Sequence, residues 1–177
     1  YIRRYGYKSA DTILNRHVKL KTKTCLYLQN NCTKIRDNFV RRLSTKIKID
    51  SPGKCLNNTS QYVEDKLSFI GDYKFVISFE NSSTPYYSTE KLYDCFLSKT
   101  VPIYWGDPQI HNDFNSKSMI TLDNLTDFDS VLERILFLEK NEDEYYKILS
   151  YNPILNQDLI SSEKFLNFFK YILNGIY

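Results

Sequence analysis

YKFVISFENSSTPYYSTEKLYDCFLSKTVPIYWGDP, residues 73–108, reads as strand, polar loop, helix and strand, and that order decides the fold. Lys74 to Phe79 is an apolar, β-branched and aromatic run of strand length. Val101 to Trp105 is a second, opened by Pro102, which a strand tolerates near its start. Between them Leu92, Tyr93, Phe96 and Leu97 recur at helical spacing behind Ser88 or Thr89 as N-cap. A helix that begins just past a strand's carboxyl end offers unpaired N–H groups and a partial positive charge, which is where α/β proteins bind phosphate. Lys91 adds a cation at that junction.

Working outward, Thr24 to Gln29 is strand-like, Asn30 to Thr33 a turn, and Lys34 to Thr45 a helix with Ile35, Phe39, Val40 and Leu43 as its apolar positions. Ile47 to Ile49 reads as a short strand, Ser51 to Ser60 as a loop, and Val63 to Ile70 as a short amphipathic helix stopped by Gly71-Asp72. Beyond Trp105 the pattern predicts a helical turn at His111 to Phe114 and a strand at Ser118 to Leu122. Two helices follow, one from Thr126 or Asp127 to Leu138 and one from Glu142 to Leu149. Strands alternating with helices imply βαβ units, so the expected class is α/β with a Rossmann-like, mostly parallel sheet. No Gly-x-Gly-x-x-Gly or Walker sequence is present, which disfavours the ordinary dinucleotide and P-loop readings. Residues 1–23 read as a linker or interdomain segment with a possible short helix at Ala10 to Val18, residues 24–153 as the α/β domain, and residues 154–177 as a helical extension rich in Phe, Leu and Ile.

A chain of 177 residues, 42% hydrophobic and 15% aromatic, is long enough to bury a substantial core. No apolar run approaches the roughly 20 residues that span a bilayer. The first twenty residues carry five cationic side chains and no apolar core, so no signal peptide is read there, and the start at Tyr1 reads as that of an excised piece. The net charge of +3 hides an asymmetry: Tyr1 to Lys54 holds fourteen Lys and Arg against three acidic residues. The basic third reads as a solvated surface and the complement of an anionic ligand or partner domain. Nucleic-acid binding is disfavoured, since no stacking motif, zinc finger or helix-turn-helix accompanies the charge. Cys25, Cys32, Cys55 and Cys95 show no Cys-x-x-Cys spacing and only His17 and His111 could join them, so neither a metal site nor a disulfide framework is expected. Cys25 and Cys95 fall inside core elements, where buried free thiols are ordinary.

A phosphate-bearing ligand brings negative charge that a site must meet with cations, helix amides or a metal. Arg36 lies at the start of the helix after the first strand, and Lys91 at the equivalent place after the third. Both should converge on the carboxyl edge of one sheet, the Arg as a fork and the Lys as a point charge.

Phe79 to Ser82, Tyr87 to Lys91 and Pro102 to Gly106, three linked blocks, together resemble the donor signature of the α-1,3-fucosyltransferases, glycosyltransferase family 10. The similarity runs from about Thr24 to about Pro153 and departs from the pattern at Ser88 and Lys54. It implies the carboxyl-terminal, donor-binding half of a two-domain GT-B enzyme, with GDP-fucose as donor substrate and a glycan hydroxyl as acceptor. It also implies that Arg36, Asn81, Tyr87, Glu90 and Lys91 bind the donor, with no cofactor or metal required, and that Asn81 is free of N-glycan. The general base of an inverting transfer is expected in an amino-terminal acceptor domain outside this chain, because Glu80, Asp107 and Asp113 do not match that role. Another nucleotide sugar, or a degenerate nucleotide-binding module, remains open as an alternative. The implied compartment is cytoplasmic for a microbial or viral protein and Golgi membrane for a eukaryotic one; membrane association is left open.

Overall fold

The structure is a computed structural model and describes residues 20–155. Its centre is a five-stranded sheet in the order β2-β1-β3-β4-β5, with every neighbouring pair parallel. The strands are β1 (Lys23–Leu26), β2 (Ile49–Asp50), β3 (Tyr73–Phe79), β4 (Val101–Trp105) and β5 (Ile120–Thr121). Among the described residues five α-helices follow the alternation: α1 (Lys34–Ser44), α2 (Lys66–Ile70), α3 (Glu90–Leu97), α4 (Phe128–Lys140) and α5 (Glu142–Ser150), with 3₁₀ turns at Ile110–Asn112 and Ser116–Ser118. The expected Rossmann-like class is therefore what the chain adopts, and the sheet is wholly rather than mostly parallel.

Period-two alternation along β3 explains the layering. Phe75, Ile77 and Phe79 join Cys25, Val101 and Ile103 beneath α1, α4 and α5, while Val76 and Ser78 face α2 and α3 on the other side, Val76 clustering with Ile70 and Cys95 and the Ser78 hydroxyl lying 3.0 Å from Cys95 Sγ. Both faces are thus buried, as a parallel sheet requires, and the central strands read as continuous apolar runs for that reason. Phe39 of α1 lies edge-on to Phe79 at 5.2 Å and to Phe128 of α4 at 5.9 Å, tying the two helices to the end of the central strand. Lys21 is buried just before β1, its ammonium donating to the carbonyls of Gly71 at 2.8 Å and Ser98 at 3.0 Å.

Two expectations need amendment. A disulfide joins Cys32 to Cys55 across a separation of 23 residues, whereas Cys25 and Cys95 are buried free thiols as expected. Spacing could not reveal this bridge, because it depends on the loop after β2 folding back over the end of β1: Cys55 N–H donates to Gln29 O at 3.0 Å, and a Cβ on Gly53 would meet Gln29 O at 2.5 Å. Helix α2 starts at Lys66 rather than Val63, because the Asp65 side chain caps it by accepting from the amides of Leu67 and Ser68. Gly71 ends α2 where the sequence stopped it, in the ordinary right-handed region. The possible helix at Ala10 to Val18 and the apolar helix predicted after Ser161 lie outside the described residues. Among the described residues no helix is long and apolar enough to cross a membrane.

Candidate functional site

In a sheet of order 2-1-3-4-5 the chain reverses its direction of growth between β1 and β3, and the crevice outside the carboxyl ends of those strands is where such folds take ligands. Arg36 sits at that point. Its side chain is 1% exposed, and its guanidinium ties both strand ends together. Nη1 donates to Phe79 O at 3.3 Å, to Glu80 O at 3.1 Å and to the Asn81 side-chain oxygen at 3.1 Å. Nε donates to Thr33 Oγ1 at 2.9 Å, and Nη2 to the Asn31 carbonyl. Every one of these acceptors is neutral, and among the described residues no carboxylate forms an ion pair with Arg36. A buried guanidinium with no counter-ion leaves positive potential at the crevice.

Lys91 stands on the first turn of α3. Its Nζ contacts Glu80 Oε2 at 2.9 Å and Thr89 Oγ1 at 2.9 Å, with the lysine side chain 17% exposed and the glutamate 0%. Glu80 also accepts from the Thr89 amide at 2.8 Å and from its hydroxyl at 2.9 Å. Glu80 is therefore the hinge of the site: its carbonyl holds Arg36 and its carboxylate holds Lys91. Gly106 makes this possible from β4's side, since a Cβ there would lie 2.5 Å from Glu80 Cγ and 2.9 Å from the Tyr104 hydroxyl oxygen. Tyr104 is fully buried, and burial pushes its hydroxyl up to about 12.

Both helices that open toward the crevice lack a side-chain cap. Thr33 precedes α1 and Thr89 precedes α3, yet neither hydroxyl bonds the helix amides, because Thr33 serves Arg36 and Thr89 serves Glu80 and Lys91. Helix α2, by contrast, is capped by Asp65. The first-turn amides of α1 and α3 thus stay unpaired by side chains and keep the partial positive charge that an anion seeks.

Of the five residues expected to bind donor, the structure joins Arg36 and Asn81 by a direct hydrogen bond and links both to Lys91 through Glu80. Glu90 opens α3 beside Lys91 and is half-buried. Tyr87 lies at the end of the polar loop, its amide donating to Thr84 O at 3.1 Å, and it is not bonded to the other four. Its neighbour Tyr86 is 77% exposed with φ of 63°, a left-handed backbone that bulky residues rarely adopt. Arg36 differs from expectation in one respect: its fork is spent on protein carbonyls rather than turned into the open crevice. Sequence reasoning also passed over Glu80, treating it only as a spare carboxylate. The signal lay in its place immediately after a buried strand, facing a glycine at the end of the next one. Beside this cluster a cavity of about 250 Å³, lined by Ser83, Tyr104, Gly106, Asp107, His111 and Asp123 among others, opens at the carboxyl ends of β4 and β5. Among the described residues no group of three His, Cys, Asp or Glu side chains is placed to hold a metal ion.

A wholly parallel sheet with a switch-point crevice, flanked by two helix termini without side-chain caps, defines an α/β domain of the Rossmann-like class. Residues 18–167 match the family model described as glycosyltransferase family 10 (fucosyltransferase), C-terminal, and the chain belongs to that family. It is 34% identical over 148 residues to the "Alpha-(1,3)-fucosyltransferase FucT" of Helicobacter pylori, covering 80% of this chain and 31% of that protein. It is 30% identical over 164 residues to the "GDP-fucose protein O-fucosyltransferase 3" of Danio rerio, covering 84% of this chain and 36% of that protein. A solved α1,3-fucosyltransferase with GDP superposes with a TM-score of 0.78 at 30% identity over 92% of this chain and 48% of that one. The same comparison with an α1,3-fucosyltransferase holding GDP-fucose gives a TM-score of 0.75 at 30% identity, over 91% and 48%. The chain therefore spans about a third of the length of these curated relatives and about half of the solved chains. Its fold is the Rossmann-like half of a GT-B enzyme.

Proposed function

We propose that this chain is the donor-binding half of an α-1,3-fucosyltransferase-like enzyme, holding GDP-fucose for inverting transfer of fucose to a glycan hydroxyl. The observation that carries the reading is the pairing of Arg36 and Lys91 through Glu80 at the switch point of a family 10 domain. In this reading the uncharged helix amides of α1 and α3 and the third N–H of Lys91 receive the pyrophosphate, and Arg36 supplies field from beneath it. Asn81, Tyr87 and Glu90 complete the donor pocket, with Glu90 accepting from ribose or sugar hydroxyls. These cations take the part that a divalent metal plays elsewhere, so no metal or other cofactor is invoked. The base that deprotonates the acceptor belongs to an amino-terminal acceptor domain, the principal partner of this one.

GDP and GDP-fucose, but not UDP or ADP, should raise the unfolding midpoint of the protein. At 100 times its dissociation constant a ligand adds about 2.7 kcal/mol of stability, readily seen in a thermal scan. Lys91→Ala should reduce the guanine-nucleotide shift. Equal shifts with all four nucleotides, or none with any, would refute the reading.

A further inference from the structure

We propose that Glu80 is the positioning residue of the donor site, a buried carboxylate that fixes where the Lys91 ammonium stands. The inference rests on Lys91 being a donor cation. Lysine is a flexible point charge with three rotatable donors, and a cation on the first turn of a helix is ordinarily solvated and spread over several rotamers. Here the carboxylate of a 0% exposed glutamate accepts one of its protons at 2.9 Å, and the Thr89 hydroxyl accepts a second at 2.9 Å. The third is the only one left to point outward. The same carboxylate holds the Thr89 amide at 2.8 Å, so the start of α3 and the ammonium are registered against one group.

Three segments build that arrangement. The residue following β3 provides the carboxylate, the N-cap and first turn of α3 provide Thr89 and Lys91, and the residue after β4 is the glycine whose missing side chain makes room, a Cβ there falling 2.8 Å from Glu80 Cβ. A negative charge placed beside an anion site is electrostatically unhelpful in itself, so its retention needs a compensating use. Fixed geometry is that use: in a site that stabilises developing charge, donors already aimed lose no free energy to reorganisation. Glu80 therefore trades some attraction for the correct placement of Lys91, and acts on the donor only through that lysine.

The test measures GDP affinity of the full-length protein by calorimetry for the wild type, Glu80→Gln, Glu80→Asp, Lys91→Ala and the double variants with Lys91→Ala, each checked by thermal unfolding. Gln keeps the shape and loses the charge; Asp keeps the charge and withdraws it by one methylene. Both should weaken GDP about tenfold, a 1.4 kcal/mol effect, and neither should weaken it further once Lys91 is alanine. Thr89→Val removes the second acceptor, together with the hydroxyl bond to Glu80, but leaves the carboxylate and its bonds to Lys91 and the Thr89 amide in place; it should show the same dependence on Lys91 and serves if the Glu80 variants do not fold. Affinity that is unchanged or tighter in Glu80→Gln, or losses that multiply in the double variants, would overturn the positioning role while leaving Lys91 as a donor cation. Wild-type affinity in Lys91→Ala, or no GDP binding by the wild type, would overturn the donor reading and the inference together.

Discussion

Gly106 and Arg36 show how single residues hold this site. Alanine at 106 would drive a methyl group against Glu80 Cγ, Glu80 Cβ and the Tyr104 oxygen, all within 3.0 Å and all on buried side chains that cannot retreat. Gly106→Ala should therefore destabilise the protein by about 1–3 kcal/mol, the usual range for overpacking, measured as a lowered denaturation midpoint. Arg36→Met keeps most of the stem but removes the guanidinium donor from the carbonyls of Asn31 and Glu80, while Phe79 O keeps the Gln29 side-chain amide at 3.4 Å. Chemical denaturation should report a loss of about 2 kcal/mol from buried acceptors left unpaired, with GDP affinity falling as well. Sequence made Arg36 and Lys91 legible as cations at equivalent helix starts, because strand-to-helix order alone places them. It could not show that Arg36 turns inward, since that follows from carbonyls at the end of a strand more than forty positions away. Glu80 was illegible for the same reason: its partner in space is Gly106, which follows another strand.

At the level of elements, the loops at the end of β1 and after β2 are stapled by Cys32–Cys55, directly upstream of the Thr33 and Arg36 pair. Closing a loop of 23 residues removes denatured-state entropy worth about 3 kcal/mol in the chain-entropy model. Cys55→Ser should lower stability by about that amount under oxidising conditions and by nothing under strong reduction, as judged by paired denaturation curves. Thiol titration gives an independent check. The native protein should show no fast-reacting thiol, since Cys25 and Cys95 are wholly buried; two should appear on unfolding and all four after reduction. Helices α1, α4 and α5 were readable from periodicity because each buries one stripe against the sheet. Short β2 and β5 were placed only approximately, as two paired residues carry too little pattern to fix their ends.

For the whole molecule, the dominant fact is a sheet covered on both faces, which places ionisable side chains where water cannot reach. Burial pushes the Cys95 thiol from 9.0 up to about 12 and the Tyr104 hydroxyl from 10.0 up to about 12; it also raises Cys25, Tyr27, Tyr73 and Tyr145. Each folded-state value exceeds the unfolded one, so the unfolded chain gives up its protons first as pH climbs. Stability should be undiminished by these groups below about pH 9 and fall steadily between pH 9 and 12. Midpoints of urea denaturation across that range will show it. The alternation of strand and helix made this two-faced architecture readable from sequence, but the strand order, and so the position of the crevice between β1 and β3, came only with the fold.

The Arg36 charge carries a consequence for how the protein meets salt. Mobile ions screen exposed charges over about 8 Å at physiological ionic strength, and they do so by gathering around them. No ion can gather around a guanidinium that is 1% exposed beneath a layer of carbonyl groups. Raising the salt concentration should therefore blunt the early, long-range attraction of an anionic ligand to the basic amino-terminal third while leaving the seated complex comparatively intact. The association rate should fall with added salt far more steeply than the dissociation rate rises.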